Sequence, residues 1–83
     1  MTMVLRQERQ EITDNIIQIY KGMKNQPMNK KQIQSHYQKD YGKFLNVNLL
    51  TKVINDMYDD NKLIIVFEGS RYTDYKLAEG VMQ

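Results

Sequence analysis

Cysteine is absent from the 83 residues of this chain. Disulfides, thiolate metal sites and cysteine nucleophiles are therefore excluded together. Histidine occurs once, at His36, with only the isolated Asp40 nearby. That is too few ligands for a zinc site and lacks the partners of a nucleophilic triad. Asp56, Asp59 and Asp60 do not have the spacing of a calcium loop. A Walker-type phosphate loop, a dinucleotide fingerprint and a pair of catalytic acids are missing as well. The expectation is a non-enzymatic protein without a cofactor. No stretch approaches the roughly 20 apolar residues of a membrane span. The opening MTMVLRQERQ lacks the apolar run and cleavage site of a secretory signal. A cytoplasmic protein with no membrane partner is expected.

What is present suffices for one core. Hydrophobic residues make up 41% of the chain, and a chain of this size holds a single domain. Residues 1–83 thus read as one unit, with ends 1–7 and 78–83 expected to be flexible or to form a homodimer contact through Met3-Val4-Leu5 and Val81-Met82. Charge is segregated. Residues 21–43 hold six lysines against Asp40 alone, whereas residues 53–83 hold three basic against six acidic side chains. Segregation of this kind orients an approach to a charged partner even when the net charge is only +2.

Periodicity supplies three helices. Ile12, Ile16, Ile19, Tyr20 and Met23 trace one helical face within residues 8–24, and Pro27 bars continuation. Asn29 and Gln32 form a relative of the capping box, with Met28 and Ile33 as a hydrophobic staple. The helix they open is expected over 29–38. The connection 38–44 (QKDYGKF) follows, with Tyr41 and Phe44 expected to plug a core corner and Gly42 to relieve a tight backbone position. A third helix over 46–59 starts at Asn46, stapled by Leu45 and Leu50, and buries Leu50, Val53, Ile54, Met57 and Tyr58. After Asp59-Asp60-Asn61 the pattern becomes β-prone. Strands are expected over 62–67 and 71–77, reversing at Glu68-Gly69-Ser70, with Tyr75 and Leu77 inward.

This order of elements within Asn29–Leu77 resembles the winged helix-turn-helix family of DNA-binding regulators. NKKQIQSHY looks like the first helix of the motif, and NVNLLTKVINDMYDDNKLIIVFEGSRYTDYKL looks like recognition helix and wing. The resemblance implies an α+β fold of three helices followed by a two-stranded β-hairpin wing. It also implies a small transcriptional regulator that binds double-stranded DNA sequence-specifically, often as a dimer. Helix 46–59 would enter the major groove, and the 68–71 wing tip would approach the backbone or minor groove. Winged helices also serve as protein–protein interaction modules, which is the alternative.

Candidate contacts follow from side-chain chemistry. Asn48, Thr51, Lys52 and Asn55 share one exposed face of the third helix and carry groups able to read base edges. Lys30, Lys31, Lys43, Asn46 and Arg71 are candidates for the DNA backbone. Lys30 and Lys31 open a helix, where positive charge opposes the dipole unless an anion approaches. The reading face has one basic residue, Lys52, and ends in Asp56, Asp59 and Asp60.

Overall fold

The computed structural model describes residues 6–82, with side chains from residue 8 onward. In chain order they form α1 (Arg6–Gly22), α2 (Lys30–Tyr41), α3 (Val47–Asp59), β1 (Leu63–Glu68), β2 (Thr73–Leu77) and α4 (Glu79–Met82). Three helices precede an antiparallel hairpin, which is the winged helix-turn-helix layout. The core is drawn from every major element. Ile16, Tyr20, Ile33, Ile54, Met57, Leu63 and Leu77 are all fully buried within one cluster.

The helix boundaries have local chemical causes. At the start of α2 the Asn29 side chain accepts from the Gln32 amide at 2.8 Å, and the Gln32 side chain accepts from the Asn29 amide at 2.9 Å. Met28 and Ile33, which flank this capping box, are both buried. Longer than expected, α2 runs to Tyr41, because nothing in QKDY breaks it and the Tyr41 ring packs on Tyr37 at 4.9 Å. Gly42 then ends it in the left-handed region (φ +67°), its N–H bonded to the Gln38 carbonyl at 2.9 Å. The link to α3 is consequently residues 42–46 rather than the 38–44 expected.

Two helices stop in Schellman-type hydrogen-bond patterns without glycine. At the end of α1 the Asn25 N–H reaches the Tyr20 carbonyl and the Lys24 N–H the Lys21 carbonyl, with Lys24 and Asn25 both left-handed. After α3 the Lys62 N–H reaches the Met57 carbonyl and the Asn61 N–H the Tyr58 carbonyl, with Asn61 left-handed.

Several expectations are corrected. Tyr41, Phe44 and Tyr58 are exposed. Leu45 fills the corner assigned to Phe44, and Tyr58 lies at the margin of the stripe formed by Leu50, Val53, Ile54 and Met57. Arg71 and Tyr72 belong to the turn and not to the second strand, which starts at Thr73. The tail folds as α4, with Val81 and Met82 half-buried against the core. Met3-Val4-Leu5 lie outside the described residues.

The hairpin is tied to α1 through the far side of β2. Met28 and Tyr75 exchange two backbone hydrogen bonds, at 2.9 and 2.8 Å, so Met28 serves as a single rung of a third strand. One step on, the Asn25 side-chain amide donates to the Leu77 carbonyl at 3.1 Å and accepts its N–H at 2.7 Å, imitating a peptide group. Below them the buried Tyr20 hydroxyl donates to the Tyr75 carbonyl at 2.9 Å. Burial pushes this phenol well above its ordinary value, helped by the charge of Asp74.

Lys24 and Asn25 share a left-handed backbone but only Asn25 bonds the sheet, so glycine should act oppositely at the two positions. Lys24→Gly relieves strain and should raise stability by about 0.5–1 kcal/mol. Asn25→Gly leaves the Leu77 amide unpaired and should lower it by about 1–2 kcal/mol. Thermal unfolding of both variants checks the pair; changes of the same sign would contradict the roles given to them.

Candidate nucleic-acid interface

Helix α3 buries Leu50, Val53, Ile54 and Met57 against the rest of the domain. Its opposite side is set by that choice. Asn48, Lys52 and Asn55 are exposed there, and Thr51 is half-buried between them and the core. The four base-reading candidates therefore do share one face. The Asn46 side-chain oxygen caps the helix by accepting from the Asn48 N–H at 2.8 Å. Only the amide group of that side chain is left to meet a phosphate. Lys43 is exposed in the link before it.

A groove of about 720 Å³ opens between the first turn of α2, the start of α3 and the wing turn. Lys30 and Lys31 line one wall and Arg71 the other, so residues forty positions apart converge on one space. The wing turn is closed by a hydrogen bond from the Gly69 N–H to the Tyr72 carbonyl at 2.9 Å, with the Phe67 and Tyr72 rings packed at 5.6 Å beside it. Gly69 has no side chain for a steric reason. A Cβ there would lie 2.7 Å from the Phe67 ring.

The groove wall also has features that the sequence did not reveal. Phe44 (72% exposed), Val47 (64%) and Tyr72 (50%) line it. The Gln34 side chain lies among them; its oxygen accepts the Leu45 N–H at 3.2 Å, and its buried Nε2 has no partner. The sequence places Phe44 in the connection as a plug for a core corner; the packing of the link instead buries Leu45 and leaves Phe44 outside. Tyr72 could have been suspected from its place beside the turn. Tyr75, also in the lining, has a phenol raised by burial and then by the charge of Glu68.

The acids sit at the other end of α3. Asp56, Asp59 and Asp60 line a separate cleft of about 430 Å³ with Arg9 and Lys62. Asp56 pairs with Arg9 of α1 at 3.4 Å, a partly exposed contact worth little to stability but one that turns this carboxylate towards a cation. Thirteen residues of helix make α3 about 20 Å long. The cationic groove is at its N-terminal end and the acids at its C-terminal end. Electrostatics therefore favour Asn48 over Asn55 as a contact to a polyanion.

His36 is half-buried on α2. Among the described residues no three His, Cys, Asp or Glu side chains are grouped to hold a metal ion, and no helix is long and apolar enough to cross a membrane. Comparison with protein-family models, with curated proteins and with solved structures finds no match for the chain.

The neighbours Phe44 and Leu45 provide a sharp check of this surface. Phe44→Ala should change stability by no more than about 0.5 kcal/mol, whereas Leu45→Ala should cost about 2–4 kcal/mol. Urea unfolding of the two variants measures the difference; an equally large loss at Phe44 would return that ring to the core.

Proposed function

We propose that the chain is a non-enzymatic regulator that binds double-stranded DNA sequence-specifically through the N-terminal half of α3. The observation that carries this reading is the convergence of Lys30, Lys31 and Arg71 on one groove beside the start of α3. Cations on both sides of a helix tip are suited to phosphates flanking a groove, while the helix presents side chains to base edges. Asn48 is the first base-reading residue, supported by Thr51 and Lys52; Asn55 lies nearer the acids. Lys43 and the Asn46 amide stand at the helix entrance, where a phosphate would meet the positive end of the dipole.

One observation favours a second reading, a protein-binding module. Phe44, Val47 and Tyr72 give the same groove an apolar lining, which suits a polypeptide carrying acidic and aromatic side chains.

Titration of the folded protein against randomised duplexes at several salt concentrations tests the first reading. Affinity should fall with salt because each neutralised phosphate releases counterions. The double variant Lys30→Ala, Lys31→Ala should bind all duplexes more weakly and lower the magnitude of the salt slope by about two. Asn48→Ala should instead relax preference at one base position, at a cost of roughly 1–3 kcal/mol. A folded protein that binds no duplex at low salt would overturn the DNA reading and leave the polypeptide one.

A further inference from the structure

The groove beside α3 carries more apolar surface than a phosphate site requires. Lysine and arginine meet phosphates through charge and hydrogen bonds, and a duplex offers little apolar surface beyond its thymine methyl groups. Yet Phe44, Val47 and Tyr72 all line the groove, and all three are exposed. None of them belongs to the core cluster. Leu45 and Leu50, their neighbours in the lining, already fill the core there. Single exposed hydrophobic residues are ordinary, but several gathered on one concave surface mark a place for a ligand.

The walls of this space are held in place by local bonds. Gly42 caps α2 two residues before Phe44. The Gly69–Tyr72 hydrogen bond closes the wing turn, and the Phe67 ring supports Tyr72. The opening of about 720 Å³ falls within the roughly 300–1,000 Å³ of sites that enclose compact groups. Its charge has one sign. Lys30, Lys31 and Arg71 are in the lining, and among the described residues no Asp or Glu is. The cleft at the other end of α3 mixes acids with Arg9 and Lys62.

We propose that this groove binds an acidic polypeptide segment carrying an aromatic side chain, and that the bound segment excludes DNA. The aromatic side chain settles against Phe44, Val47 and Tyr72, and carboxylates on either side of it meet Lys30, Lys31 and Arg71. Arg71 suits a carboxylate because its planar fork can hold both oxygens. Apolar contact supplies what a duplex lacks, and charge selects an acidic segment over a neutral one. Exclusion follows from position. The cations are those assigned to phosphates, and Val47 is the first residue of α3, adjacent to Asn48. A segment seated there covers the end of the helix that would enter the major groove. The exclusion rests on the DNA reading of this site; the peptide contact does not.

Labelled decapeptides with one phenylalanine or tryptophan among aspartates and glutamates, titrated into the full chain and followed by fluorescence anisotropy, test the occupant. They should bind about tenfold more tightly than all-acidic peptides, because the aromatic side chain leaves water only in the complex. Phe44→Ala should weaken the peptide about fivefold and change duplex affinity by less than about twofold. Val47→Ala takes its place if that variant does not fold. The double variant Lys30→Ala, Lys31→Ala should weaken both ligands. Added peptide should release a labelled duplex as it fills the groove. All-acidic peptides that bind as tightly would overturn the occupant, as would peptide affinity unchanged in folded Phe44→Ala and Val47→Ala. Single-stranded oligonucleotides that depend on Phe44 where the peptides do not would overturn it too, in favour of stacked bases. A duplex that stays bound while peptide saturates the protein would overturn the exclusion. Peptide binding without any duplex binding would overturn the DNA reading and the exclusion together. Duplex binding without peptide binding would overturn this proposal and leave the DNA reading standing.

Discussion

The hydrogen bonds along the outer side of β2 hold this domain together as one object. An isolated two-stranded hairpin is marginal in water, and β1 contributes only Leu63 to the core. The wing is anchored through β2, where Tyr75 and Leu77 are buried in the core and bond to Met28 and Asn25, with the Tyr20 hydroxyl beneath. These contacts join the end of α1, the entry to α2 and the return strand. The orientation of Lys30 and Lys31 relative to Arg71 depends on them, because Met28 fixes where α2 begins and Tyr75 fixes where the wing points. The groove is thus a by-product of sheet pairing, and its width is set by backbone bonds that are remote from its cations.

The same architecture resolves the contradiction in charge along α3. A helix carrying one lysine and ending in three aspartates is a poor ligand for a polyanion if taken as a uniform surface. The fold divides it. Asp56 turns towards Arg9, and its acidic neighbours line the same cleft as Lys62. Lysines borrowed from α2 and the arginine of the wing surround the opposite end. A partner that engages the helix tip encounters cations; one lying along its whole length encounters both signs.

Much of this was legible in the amino-acid order because it depends on short-range rules. The Asn29–Gln32 box, the Met28 and Ile33 staple, the Asn46 cap, the stripe of α3 and the inward Tyr75 and Leu77 follow from spacing alone. The convergence of Lys30, Lys31 and Arg71 followed only from the winged helix resemblance, since no local rule joins those positions. The errors fall where a residue's fate depends on what lies opposite. Phe44 and Tyr58 have the chemistry of core residues, but Leu45 and Met57 reach the interior first. The last turn of α2 was missed because its support is a ring contact between Tyr37 and Tyr41. The rung at Met28 was invisible for another reason. One residue has no periodicity, and Asn25 acts through a side chain imitating backbone.

The turn of the wing has a further consequence for how this surface can change. Gly69 is kept small by the Phe67 ring lying over it, 2.7 Å from where a Cβ would be, and its backbone conformation is one that other residues can adopt. Positions 67 and 69 are therefore coupled in mutational terms. A side chain at 69 displaces the aromatic pair with Tyr72, while a smaller residue at 67 removes the nearest obstacle and leaves the Tyr72 carbonyl oxygen 3.2 Å from the added Cβ. The accessible route to a reshaped wing tip starts at Phe67, and the order of the two steps matters.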